Sequence, residues 1–242
     1  MFLRDPISSS SHLLTAVWAV FATLLMFRLT ANRPGRAFPV IVYGVSMILL
    51  FLASGTFHAP PFTPGSERYR FFQKIDMSAV YGLIAGTYTP ILCIVLTGTL
   101  RKWLLWMVWL LALAGVACMW LAPEAPHWVI VGIYLILGWI GIPPLPLYYR
   151  ALGWRAMNWV WLGGGLYSIG AVCEIVEWPK IIPGFGYHEV LHLTHSAACV
   201  VFFLFIVRYV IPYQPPPRDR LSVEASASQT VEFPLPSPRV ER

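Results

Sequence analysis

DMSAVYGLIAGTYTPILCIVLT, residues 76–97, opens on an acid and then carries no further charge until Arg101. Its length and apolarity match the roughly 20 residues that cross a bilayer as a helix. A single segment in hydrocarbon can satisfy its backbone only as a helix. Working outward, similar runs occur at 12–31, 38–57, 103–121, 127–148, 157–174 and 188–211. The connections between them are short and rich in turn residues: NRPGR, APPFTPGSERYR, TGTLRK, APEAP, YYRALGWR and EWPKIIPGFGY. Of the 242 residues, 57% are hydrophobic and 12% charged, about half the charge of a soluble domain. The sequence therefore predicts an all-α integral membrane protein, a seven-transmembrane-helix bundle over residues 1–213. Beyond Tyr213 the composition shifts to Pro, Ser and mixed charge, so residues 214–242 are expected to form a disordered tail.

The net charge of +6 does not point to nucleic acid. The basic residues sit at span ends and in the tail, as snorkelling and the positive-inside effect would place them, and no nucleic-acid partner is expected. With seven crossings, Arg4, Arg68, Arg70, Lys74 and Lys180 share the N-terminal face. Arg28, Arg33, Arg36, Arg101, Lys102, Arg150 and Arg155 share the other, a count that favours an external N-terminus. Cys93, Cys118, Cys173 and Cys199 fall singly in different apolar runs and read as packing residues rather than ligands. The first run lacks a small-x-small cleavage site and reads as a retained span.

Ionisable groups at membrane depth are costly and mark functional sites. Ser54 and His58 close the second run, Asp76 opens the third, and His188 and His192 open the seventh. Crossing parity puts all five on one membrane face. Residues four apart share a helix face, so His188 and His192 can reach one ion, with His58 as a third nitrogen donor. Three histidines leave a fourth tetrahedral position for water, the arrangement of catalytic zinc. Asp76 would then accept a proton, and Ser54 would hydrogen-bond the water or a developing oxyanion.

Simpler roles fit the remaining polar residues. His195 continues the stripe of His188 and His192 and is expected to bond a neighbouring helix, with third ligand or ligand-orienting donor as alternatives. His12 and His127 are assigned to caps or the interface, and Glu174, Glu177 and Glu189 to a solvated rim. Ser78, Gly82 and Gly86 form a small-residue seam, and Gly163, Gly164, Gly165 and Gly170 give the sixth run a similar surface. Pro90 is expected to kink the third run at mid-span.

The stretches DPISSSSH, SGTFH, KIDMSAVYGLIAGTYTP, GGGLYSIGAVCE and GYHEVLHLTHS, in that order between Arg4 and Tyr213, resemble the hemolysin III family. This is the bacterial branch related to progestin and adiponectin receptors and, more distantly, to alkaline ceramidases. The resemblance implies a seven-helix fold with zinc on His58, His188 and His192, and with Asp76 and Ser54 beside the metal's water. In the ceramidase relatives such a site hydrolyses a lipid amide. It also implies a multi-pass protein of the bacterial cell (inner) membrane. The chain departs from the family pattern after HEVLH, where Thr194 and His195 stand at positions that are commonly apolar or aromatic.

The expected function is a zinc-dependent hydrolase of a lipid amide or ester, with membrane lipid as the substrate. The alternatives are a non-catalytic sensor or receptor-like protein with structural zinc and, behind it, a membrane-lytic factor.

Overall fold

The computed structural model describes residues 3–121 and 126–215. Among the described residues, six helices are long and apolar enough to cross a membrane. They are α1 (Pro6–Leu29), α2 (Ala37–His58), α3 (Glu67–Val95), α4 (Gly98–Leu121), α7 (Trp154–Val176) and α8 (Tyr187–Phe205), the last running on through a π-helical turn, Ile206–Val210. The protein is a multi-pass helical membrane bundle. Large apolar side chains such as Leu14, Phe21, Trp103 and Trp106 face outward, as a lipid-facing surface requires. The part of the expected disordered tail from residue 216 onward lies outside the described residues.

The fifth run is not one helix. α5 (His127–Trp139) has 13 residues, about 20 Å, too short for a hydrocarbon core of about 30 Å. After a turn at 140–144 the chain resumes as α6 (Leu145–Leu152). Pro143 and Pro144 lack the N–H groups that a continuing helix needs. Tyr88 of α3 bridges the break, donating its hydroxyl hydrogen to Gly138 O and accepting from Gly141 N at 3.0 Å. Broken backbone at membrane depth is tolerated where its polar groups find partners in this way. Hydropathy reads 127–148 as continuous because no Asp, Glu, Lys or Arg interrupts it.

Two helices start earlier than the apolar runs suggest. Ser66 caps α3, its hydroxyl accepting from Tyr69 N at 3.2 Å, so Asp76 lies well inside that helix rather than at its N-terminus. α1 begins at Pro6 and includes the serine run, with Ser8 and Ser9 buried. Ser9 donates to Gly55 O at 2.9 Å. A Cβ on Gly55 would come within 2.7 Å of Leu13 Cγ, so this glycine lets α1 lie close against α2.

α1, α2 and α3 pack side by side, α4 lies against α3, and α7 pairs with α8. The main core gathers Tyr43, Met47 and Phe51 of α2, Leu83 and Leu92 of α3, and Cys199 and Phe205 of α8. The small-residue seam on α3 divides between neighbours. A Cβ on Gly86 would overlap Ser46 of α2, while Gly82 meets nothing and Ser78 accepts from Trp120 Nε1 of α4. On α7, Gly163 and Gly170 face Phe202 and Thr194 of α8, whereas Gly165 faces open space.

A short hairpin, β1 (Lys180–Ile182) with β2 (Phe185–Gly186), links α7 to α8. The start of α8 therefore lies at the same end of the bundle as the end of α2.

Candidate metal centre

At that end the Nε2 atoms of three histidines converge. His188 Nε2 is 3.3 Å from His58 Nε2 and 3.1 Å from His192 Nε2, and the ligand-type atoms of all three lie within 4.8 Å of one another. His58 is the last residue of α2, and His188 and His192 lie one turn apart at the start of α8. Asp76 Oδ2 stands 4.0 Å from His58 Nε2, and Ser54, one turn before His58 on α2, is buried beside Asp76. All five residues singled out from the sequence thus meet in one place. The three imidazoles could hold a metal ion.

The opposite edges of two rings are held by carboxylates. His58 Nδ1 donates to Asp5 Oδ2 at 2.8 Å, and His188 Nδ1 lies 3.1 Å from Glu174 Oε2. A carboxylate on Nδ1 fixes the hydrogen there and turns the Nε2 lone pair inward. Two bare lone pairs 3.3 Å apart repel unless a cation sits between them. Nitrogens on one tetrahedral ion at zinc-like bond lengths would themselves stand about 3.3 Å apart. Donor type and spacing both fit a metal.

Several of these partners depart from the sequence-based assignments. Glu174 is no solvated rim residue. It is 6% exposed and bonds both His188 and, through Oε1 at 2.9 Å, His127 Nε2. His127 is half exposed at the start of α5, as expected, yet it holds the far side of that carboxylate. His12 is neither cap nor interface residue: it is buried, stacks on His192 with ring centroids 3.9 Å apart, and bonds His192 O at 3.2 Å. Glu189 accepts from Gly186 N at 2.8 Å and Ser8 Oγ at 3.2 Å, tying α8 to α1. Glu177 is exposed at the end of α7. His195 bonds Leu191 O of its own helix at 2.9 Å rather than a neighbouring helix, and it stands outside the cluster.

Asp5 was not anticipated. In sequence it lies in DPISSSSH, ahead of the first apolar run, with no role assigned to it. Its carboxylate makes no cap bond; it takes the hydrogens of His58 and Arg4. Burial raises its pKa, but the hydrogen bonds from His58 and Arg4 outweigh that and hold it below the usual carboxylate range. Backbone bonds from Arg4 N to Ala59 O and from Asp5 N to His58 O, both 3.2 Å, strap the segment to the end of α2. The Arg4 guanidinium lies over Phe57 and Tyr69, 4.5 and 5.1 Å from their ring centroids.

Below the centre lies a cavity of about 130 Å³, walled by α3, α5, α6, α7 and α8. Its lining is apolar apart from a few hydroxyls and His195. Two wall residues tie it to the centre. His195 is three residues beyond His192, and Ala171 is three before Glu174, each about one helical turn.

The sequence model of the family described as Haemolysin-III related matches residues 2–210. This chain belongs to the Haemolysin-III related family. A relative named Hemolysin-3, from Bacillus cereus, is 33% identical over 215 residues, covering 87% of this chain and 94% of that protein. A Hemolysin-3 homolog from Bacillus subtilis (strain 168) is 33% identical over 218 residues, covering 86% and 98%. Membership in this bacterial Haemolysin-III related group agrees with the multi-pass fold and with a place in a cell membrane.

Proposed function

We propose that the chain is a zinc-dependent hydrolase of a membrane lipid amide or ester, with zinc on His58, His188 and His192. The observation that carries this reading is the pair of Nε2 lone pairs, on His58 and His188, turned toward one point beside an acid and above an apolar cavity. Three imidazoles with no cysteine suit zinc among the common divalent ions. Held this way, zinc would supply a Lewis acid for a carbonyl oxygen and acidify a water.

The chain's own groups account for the rest. Asp76 is placed to take a proton from the attacking water and return it to the leaving group. The Ser54 hydroxyl, one turn deeper than His58 on α2, is placed to hydrogen-bond charge developing on the carbonyl oxygen. Asp5 and Glu174 hold the rings of His58 and His188 in orientation. The cavity accepts an acyl chain and keeps water from it. A lipid therefore fits better than a polar substrate.

The test uses detergent-purified full chain loaded with zinc, assayed against a panel of N-acyl amides and acyl esters. Asp76→Asn and Ser54→Ala are expected to retain zinc while losing turnover, by about 10²-fold or more for Asp76→Asn. If zinc-loaded wild type turns over nothing on the panel while chelation lowers its melting temperature, the structural-zinc reading replaces this one. The names of the relatives invite a third test, dye leakage from liposomes. Leakage that Asp76→Asn leaves unchanged would owe nothing to this centre.

A further inference from the structure

His195 lies on the same stripe of α8 as His188 and His192, about 4.5 Å deeper along the helix than His192. Its Nδ1 is 2.9 Å from Leu191 O. A carbonyl only accepts, so Nδ1 carries the hydrogen and the neutral ring presents a bare lone pair at Nε2. That nitrogen has no hydrogen-bond partner among the described residues, and unlike the Tyr148 hydroxyl it is not sealed off by packing. His195 forms part of the cavity wall together with Tyr167, the two rings meeting edge to face at 5.0 Å.

Most other hydroxyls on that wall already donate, the sealed Tyr148 hydroxyl aside. Thr87 donates to Leu83 O, Ser168 to Gly164 O, Tyr88 to Gly138 O and Tyr134 to Met77 O, while Tyr167 pairs with Cys199 Sγ. Among the described residues the cavity thus offers apolar surface and, at His195, an imidazole acceptor without a partner, placed where it approaches the centre.

We infer that His195 Nε2 is a specificity-determining acceptor for a hydroxyl on the acyl chain of the substrate, close to the carbonyl carbon. The inference rests on the hydrolase reading, which puts the carbonyl at the three histidines. From there the chain descends past His195, while the leaving group points to the membrane face. A hydroxyl on about the second or third carbon reaches one helical turn deeper than the carbonyl. An unsubstituted chain leaves the imidazole acceptor unpaired in an apolar cavity. Sites built to bond a hydroxyl discriminate against analogues lacking one for that reason. The substrate class is therefore a hydroxyacyl lipid amide or ester.

The test is displacement of a fluorescent polyene fatty acid from zinc-loaded full chain by 3-hydroxytetradecanoic acid and by tetradecanoic acid. Wild type should bind the hydroxy acid roughly five- to tenfold more tightly. His195→Asn keeps a donor for Leu191 O but has no acceptor at the Nε2 position, and the preference should vanish. His195→Gln reaches that position with its amide oxygen and should keep part of it. Equal zinc content and monodispersity of the variants exclude misfolding. Equal affinities in wild type, no displacement by either acid, or a preference that survives His195→Asn would each overturn the inference. Turnover measured on the same samples separates the two claims. A preference without turnover sinks only the hydrolysis, and turnover without a preference sinks only the role of His195.

Discussion

At His58 and His188 the ring nitrogen away from the centre is engaged by a carboxylate, and that engagement makes the inner nitrogens useful. Asp5 and Glu174 each hold an N–H, so each ring is fixed in rotation and in tautomer. Groups that orient metal-binding histidines typically contribute about 10- to 100-fold in metal affinity when mutated. Glu174→Ala and Asp5→Ala should each weaken zinc binding by about that factor, measured by competition with a chelator of known affinity at unchanged helical content. Affinity equal to wild type would show that the rings hold themselves. The sequence disclosed the three histidines, Asp76 and Ser54 because their spacing and crossing parity are one-dimensional properties. It did not disclose Asp5 or Glu174 as partners. Asp5 stands ahead of the first apolar run, and Glu174 stands near a charged connection and looks solvated. Only the strap of residues 4–5 over α2 and the pairing of α7 with α8 bring them to the rings. His12 was missed for the same reason, since a helix that starts at Pro6 instead of residue 12 carries it into the bundle.

Among the elements, the α7–α8 pair matters most to the site, because it joins Glu174 to His188. Gly170 stands where a Cβ would overlap Thr194 and come within 3.3 Å of Leu191 Cα. Gly170→Leu should push the helices apart, costing about 1–3 kcal/mol by overpacking and lowering metal affinity with it. Gly165→Ala meets nothing and should be neutral or stabilising, since alanine favours helix by about 1 kcal/mol. Melting temperatures of the two variants make the comparison, and equal losses would contradict it. The α5–α6 break depends on the Tyr88 hydroxyl. Tyr88→Phe leaves Gly138 O and Gly141 N without that partner and should cost about 1–3 kcal/mol, read as a lower melting temperature. Hydropathy located the long spans because each is a single uninterrupted apolar run. It failed at 127–148, where no charged residue marks the turn-forming glycine and prolines that break the helix.

For the whole molecule, the centre gathers residues from the start of α1, the end of α2, α3, the end of α7 and the start of α8. It is both a site and a knot holding one end of the bundle. Removing a bound ion leaves facing lone pairs and frees α2 from α8, so stripping metal with a chelator should lower the melting temperature by several degrees, reversed by zinc. An unchanged transition would mean that packing alone joins these helices. The gathering of these residues at one end was legible because parity survives a broken fifth helix: α5 starts at the centre's end with His127, and α7 starts at the other with Trp154 and Arg155. The cavity was not legible, since its wall is drawn from five helices and depends on their tilt and packing. The central claim is that His58, His188 and His192 bind one metal ion. Elemental mass spectrometry of detergent-purified chain tests it most directly, with His58→Ala and the double variant His188→Ala/His192→Ala beside wild type. About one zinc per chain in wild type, lost in both variants while they stay folded, is the predicted result. Folded wild type without metal, or zinc that persists in the double variant, would contradict it.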